Sequence, residues 1–143
     1  MVKNISPQDV EKIIGGDVRV LVQEAERFGR ELAEDKLSKS QIRGVFGTVR
    51  QIGAAWESTA KSDPRQNLRK VLLLKPRLAY QARRGDKVKP LAEVLTYAIN
   101  LVAKPDDPNE QTRRFGYFVD LFEAILAYHT AYEKKGEGGQ HGS

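Results

Sequence analysis

A chain of 143 residues fits a single domain with one sizeable core. With 40% apolar and 30% charged residues it reads as globular and rich in surface charge, and no apolar run approaches the ~20 residues that a membrane-spanning helix needs. Cysteine is absent, which excludes disulfides and thiolate chemistry and suits a cytoplasmic protein, while Asp9 and Glu11 interrupt any apolar segment of the kind a signal peptide carries.

Apolar residues recur with the helical period throughout, and nowhere with the alternation of a strand. Ser6 as N-cap and Pro7 at the first helical position open a first helix, with Val10, Ile13 and Ile14 on one face and Gly15 and Gly16 at its end. Asp17 caps a second helix whose stripe is Val18, Leu21, Val22, Ala25, Phe28 and Leu32. Glu24, Glu31 and Glu34 oppose that stripe, so this helix is a poor phosphate binder. Ser38 and Gln41 form a capping box ahead of a third helix with Ile42, Val45, Phe46, Val49, Ile52 and Trp56 inward. Gly44, Gly47 and Gly53 lie in that helix, each costing roughly 1 kcal/mol against Ala. Close packing against a neighbour explains Gly53. For Gly47, packing and close approach of a ligand backbone stand as equals, because Arg43 and Arg50 flank it.

Asp63 and Pro64 start a fourth helix, with Leu68, Val71 and Leu72 inward. Pro76 removes a donor and pushes Lys75 away from helical geometry, which predicts a break or kink there. The faces of Leu72 and Leu78 then point in different directions. A short helix follows to Arg84, ended by Gly85 and Asp86. Pro90 begins another, with Leu91, Val94, Leu95, Ala98 and Leu101 inward. After a polar turn in which Asp107 can cap, the last helix runs from about Glu110 to Lys134, with Phe115, Phe118, Val119, Phe122, Ile125 and Leu126 as its stripe. The expected fold is an all-α bundle of five to six helices, one domain over residues 1–135. The Gly-rich segment 136–143 has no apolar anchor and is expected to be a disordered tail.

The charge is not spread evenly. From Lys36 to Lys89 there are 14 Lys and Arg against three acids, Glu57, Asp63 and Asp86, whereas both flanks are net acidic. Clustered cations neutralise phosphates and release counterions, so nucleic-acid binding is favoured over a merely solvated face. The belt holds only Phe46, Trp56 and Tyr80 as aromatics. The first two fall on a core face and core packing is the simpler reading of Tyr80, so contacts should run to phosphate and sugar rather than to bases. Catalysis is not expected. His141 lies in the tail, His129 falls on the buried stripe of the last helix, and no metal, nucleotide-loop or dinucleotide motif occurs, so no cofactor is expected either.

Two stretches carry a resemblance. Leu37 to Arg43, reading Leu-Ser-Lys-Ser-Gln-Ile-Arg and followed by Val45 and Phe46, is one. Leu72 to Arg84, reading Leu-Leu-Leu-Lys-Pro-Arg-Leu-Ala-Tyr-Gln-Ala-Arg-Arg, is the other and the more specific. In this order, in a small helical chain, they resemble the small subunit of type III-A CRISPR effector complexes, over roughly residues 30–130. The resemblance implies a helical bundle present in several copies along a ribonucleoprotein filament. It implies contact with crRNA and target RNA, partners among the backbone and large subunits, self-association, and no nuclease site. By motif match it assigns RNA contact to Lys39, Arg43, Lys75, Arg77, Arg83 and Arg84; helix geometry adds Arg50. RNA-guided recognition leaves sequence selection to base pairing, so shape and charge suffice for such a subunit. Two other classes remain open. A helix-turn-helix DNA-binding protein would read bases through Lys39, Gln41 and Arg43, and a structural adaptor would set the belt against an acidic protein.

Overall fold

The computed structural model describes the backbone of residues 2–141 and the side chains of residues 2–133. Among these residues there are eight α-helices and no strand: α1 (Pro7–Ile14), α2 (Val18–Glu34), α3 (Lys39–Ala54), α4 (Trp56–Ser62), α5 (Pro64–Leu72), α6 (Leu74–Arg84), α7 (Lys89–Ala103) and α8 (Pro108–His141). A 3-10 turn, Asp86–Val88, joins α6 to α7. None of the described helices is long and apolar enough to cross a membrane. The side chains of the tail expected from Gly136 lie outside the described residues, as do Gly142 and Ser143 altogether.

The all-α bundle is as the periodicity predicts, but with more helices than five or six. One element that the periodicity does not mark is α4, a polar helix of 7 residues with no apolar period to announce it. It is held from below. Trp56 is buried and stacks on Phe115 of α8 with ring centroids 4.4 Å apart, and its indole N–H donates to Thr112 Oγ1 at 2.8 Å. Asn67 of α5, itself buried, donates from Nδ2 to the Trp56 carbonyl at 3.0 Å.

The caps form where the sequence puts them. Ser6 accepts from Asp9 N–H, Asp17 from Val20 N–H, and Asp63 from Arg65 N–H. Gln41 Oε1 reaches back to the Ser38 N–H at 3.3 Å. Asp107 accepts from Asn109 N–H at the start of α8. Gly16 ends the α1–α2 turn with φ of 106°, and a Cβ there would fall 3.1 Å from the Tyr117 ring, so both backbone and neighbour require glycine.

The predicted discontinuity near Pro76 is present, but at Leu73 rather than at Lys75. The chain breaks at Leu73, and Lys75 already lies inside α6. Two effects of Pro76 converge on the Leu72 carbonyl four residues upstream: the missing N–H leaves it without a helical donor, and the ring crowds it. Leu78 is buried, but Leu72, expected inward, is exposed together with Leu73; Val71 and Asn67 carry the buried face of α5 and Leu68 is half-buried.

α8 is the axis of the bundle. It runs parallel to α2, as Gly16 against Tyr117 and Gly29 against His129 require, and antiparallel to α3, as Phe46 on Phe122 and Trp56 on Phe115 require. Phe28, Phe118 and Phe122 are fully buried along it, each worth about 1.5–3 kcal/mol in removed apolar surface. The α2 stripe is buried at Leu21, Ala25, Phe28 and Leu32, but Val18 and Val22, expected inward, are 65% and 45% exposed. α6 packs antiparallel beside α3, with Gly85 at its end against the Gln41 side chain, and α7 packs on the other flank of α6.

Candidate nucleic-acid interface

α3 and α6 form an adjacent antiparallel pair, and neither contains an acidic residue. On α3 the inner face closes on Ile42, Val45, Val49 and Ile52, which turns Lys39, Arg43 and Arg50 outward on one stripe. On α6, Leu74 and Leu78 point inward, which turns Arg77 and Arg84 outward one flank over, toward α3. Arg83 is exposed beside them. Arg43, Arg50, Arg77, Arg83 and Arg84 have no carboxylate within ion-pair distance among the described residues.

Two sites differ from this group. Lys39 is half-buried and its Nζ lies 3.8 Å from Glu133 Oε1 of α8. Lys75 points to the opposite flank of α6, where its Nζ donates to Asn100 Oδ1 of α7 at 2.7 Å. The structure thus brings five of the seven sequence-derived residues onto one two-helix face, leaves Lys39 at its edge, and sets Lys75 apart. Elsewhere in the belt, Arg65 is engaged by Asp63 and Lys87 by Asp35.

Two recesses border the face. A groove of about 640 Å³ between α3 and α8 has Phe46, Leu126 and Ala127 as floor and Lys39, Arg43 and Arg50 as rim. Arg50 also lies over the Phe46 ring, 5.9 Å from its centroid. A smaller recess of about 280 Å³ between α3 and the α5–α6 junction has Ile52 and Leu74 below and Lys70 and Arg77 above. The ridge between the recesses carries Gly44 and Gly47, and a Cβ at either would meet nothing within 4 Å. Packing against the described residues therefore does not explain Gly47. It does not require Gly53 either, contrary to expectation: a Cβ there would make an ordinary 3.7 Å contact with Phe115.

Sequence reasoning missed two members of this surface. Tyr80, expected in the core, is 60% exposed, with the Arg84 guanidinium 5.7 Å from its ring centroid. It sits three residues after Arg77 and four before Arg84, a spacing that places all three on one stripe. Lys70, seven residues before Arg77, was visible only as one more cation of the belt. His129, by contrast, is the core histidine expected, fully buried with Nε2 2.6 Å from the Leu37 carbonyl oxygen.

Comparison with known proteins agrees with the resemblance read from Leu37–Arg43 and Leu72–Arg84. The family model described as Csm2 Type III-A matches residues 16–135, which include α2 to α7, most of α8, and every residue of the α3–α6 face. No curated protein and no solved structure matches the chain. The match spans most of the chain, and the helical bundle fits it: the protein belongs to the Csm2 type III-A family, the small subunit of the type III-A Csm complex of CRISPR defence.

Proposed function

We propose that this small subunit is a non-catalytic RNA-binding component whose α3–α6 face lies along the backbone of the crRNA–target RNA duplex. The observation that supports this reading is the set of five exposed arginines, Arg43, Arg50, Arg77, Arg83 and Arg84, on two acid-free helices, with no carboxylate in ion-pair reach among the described residues. Guanidinium groups left unpaired on a ridge with no side chains at Gly44 and Gly47 suit a polyanion whose backbone comes close. Lys39 and Lys75, already bonded within the chain, contribute less. A non-catalytic role agrees with the commitment of His129 to the core.

The helix-turn-helix alternative loses ground on the same geometry. Of the three side chains that would read bases, Lys39 is paired with Glu133 and Gln41 is spent on the cap of α3. The reading also places the subunit in the cytoplasm, beside the RNA-carrying backbone subunits, with further copies of itself along the filament.

The test is the salt dependence of RNA binding by the Csm complex with and without the subunit. The subunit's contribution should fall with salt at a log–log slope of roughly −3 to −5, about −0.9 per phosphate neutralised. Unrelated guide–target pairs of equal length should give the same slope. A contribution independent of salt, or one that changes with sequence, contradicts the reading.

A further inference from the structure

Of the five tyrosines, all among the described residues, Tyr80 alone is exposed. Tyr97 and Tyr132 are half-buried and donate their hydroxyls to Glu11 and Glu26. Tyr117 packs against Gly16 and Tyr128 against the core. Among the described residues Tyr80 has no such hydrogen bond, and the Arg84 guanidinium lies 5.7 Å from its ring centroid.

Its helical stripe is cationic before and after it. Arg77 precedes it by about 4.5 Å along the helix axis and Arg84 follows by about 6 Å. Arg83 flanks it, and α6 offers no carboxylate to offset them. Within the fold, Arg83 and Arg84 favour the last turn of α6 and Arg84 lies near the Tyr80 ring, but Arg77 has no such role there and like charges on one stripe repel. An exposed ring bracketed by two guanidinium groups suits a ligand that is flat in the middle and anionic at both ends. A nucleotide is such a ligand: the base stacks on the ring, and the phosphates on either side of its ribose meet the two arginines.

A base inside a duplex has both faces covered by its neighbours. Only an unpaired nucleotide presents a free face. We propose that Tyr80, bracketed by Arg77 and Arg84, is a stacking site for an unpaired nucleotide of the RNA, distinct from the backbone contacts of the rest of the face. The proposal rests on the RNA-binding reading above and refines it. Every base has a π-face, so the site tolerates any sequence while telling a splayed nucleotide from a paired one.

The test uses the full chain and its Tyr80→Ala and Tyr80→Phe variants, with a short single-stranded RNA carrying a fluorescent purine analogue and with the matching duplex. Tyr80 is exposed, so both variants should fold, which circular dichroism checks. Tyr80→Ala should weaken single-strand binding roughly tenfold and abolish the quenching of the analogue. It should leave duplex binding unchanged, and Tyr80→Phe should behave as the parent. If the parent binds duplex and Tyr80→Ala changes neither form, or weakens both equally, the stacking site is overturned while the backbone reading stands. If the parent binds neither form at low salt, both are overturned. If Tyr80→Ala leaves RNA binding intact but lowers recovery of the other complex subunits, the ring is a protein contact and the proposal is overturned.

Discussion

The ring Nε2 of His129 lies 2.6 Å from the carbonyl oxygen of Leu37, tying α8 to the turn ahead of α3. A carbonyl only accepts, so Nε2 carries a proton, and Nδ1 is buried with no hydrogen-bond partner among the described residues. This bond bears on function because it anchors the N-terminal end of the helix that carries Arg43 and Arg50. Gly29 packs against the backbone of the same residue: a Cβ there would lie 2.9 Å from the backbone nitrogen of His129, the backbone oxygen of Ile125 and Tyr128 Cβ.

His129→Ala orphans a buried carbonyl and opens a cavity, and should cost about 2–4 kcal/mol. Gly29→Ala forces two helices apart and should cost about 1–3 kcal/mol. Urea unfolding measures both, and a loss below roughly 0.5 kcal/mol for either contradicts the packing described.

The turn between α2 and α3 holds a second point that sequence did not announce. Lys36 has φ of 70°, and the N–H groups of Lys36 and Leu37 bond back to Ala33 and Leu32, a helix end that ordinarily takes glycine. Lys36→Gly should therefore stabilise the chain by roughly 0.5–1 kcal/mol, read as a higher melting temperature. No gain would mean that the left-handed residue carries no strain.

What was legible in the sequence was local. Ser6, Asp17, Asp63 and Asp107 cap the helices they precede because a cap needs only its own first turn. Periodicity gave the angle of each side chain about its own helix, hence Ile42, Val45 and Val49 inward. It could not say which neighbour covers that angle. Val18, Val22, Leu72 and Tyr80 sit at plausible inward positions and are exposed because none of the described side chains closes over them. Likewise the cations Lys39 and Lys75 looked equivalent to Arg43 in sequence, and only the fold brings Glu133 and Asn100 to them.

Gly44 and Gly47 separate folding from function. Each occupies an exposed helical position with open space around it, so replacement by alanine should stabilise the isolated subunit by about 0.5–1 kcal/mol per site. If the ridge meets the RNA backbone closely, the same double variant should bind RNA more weakly in the assembled complex. Greater stability with unchanged RNA binding would show that the ridge faces open solvent.

Acid should loosen the N-terminal staple. Burial pushes the Glu31 carboxyl up, but the Lys3 N–H at 2.8 Å and the Arg27 guanidinium at 2.9 Å outweigh it and hold it below its ordinary value of 4.5. A depressed carboxyl contributes stability that is complete above its unfolded value and is lost as pH falls through the folded one. Glu31→Gln should thus lower the melting temperature at neutral pH, and the gap to the parent should close on acidification below about pH 4.5. A gap constant through that range contradicts the assignment.

The claim that the α3–α6 face, rather than net charge, carries RNA binding is tested most directly by paired charge reversals in the assembled complex. Arg43→Glu with Arg84→Glu removes two unpaired cations from the face; Lys3→Glu with Lys12→Glu changes net charge equally on exposed residues outside it. RNA affinity is measured at one fixed salt concentration, with incorporation of each variant verified. The account predicts a loss of roughly tenfold or more for the first pair and near-parental affinity for the second. Equal losses would mean that binding follows total charge and that the face assigned here is not the interface.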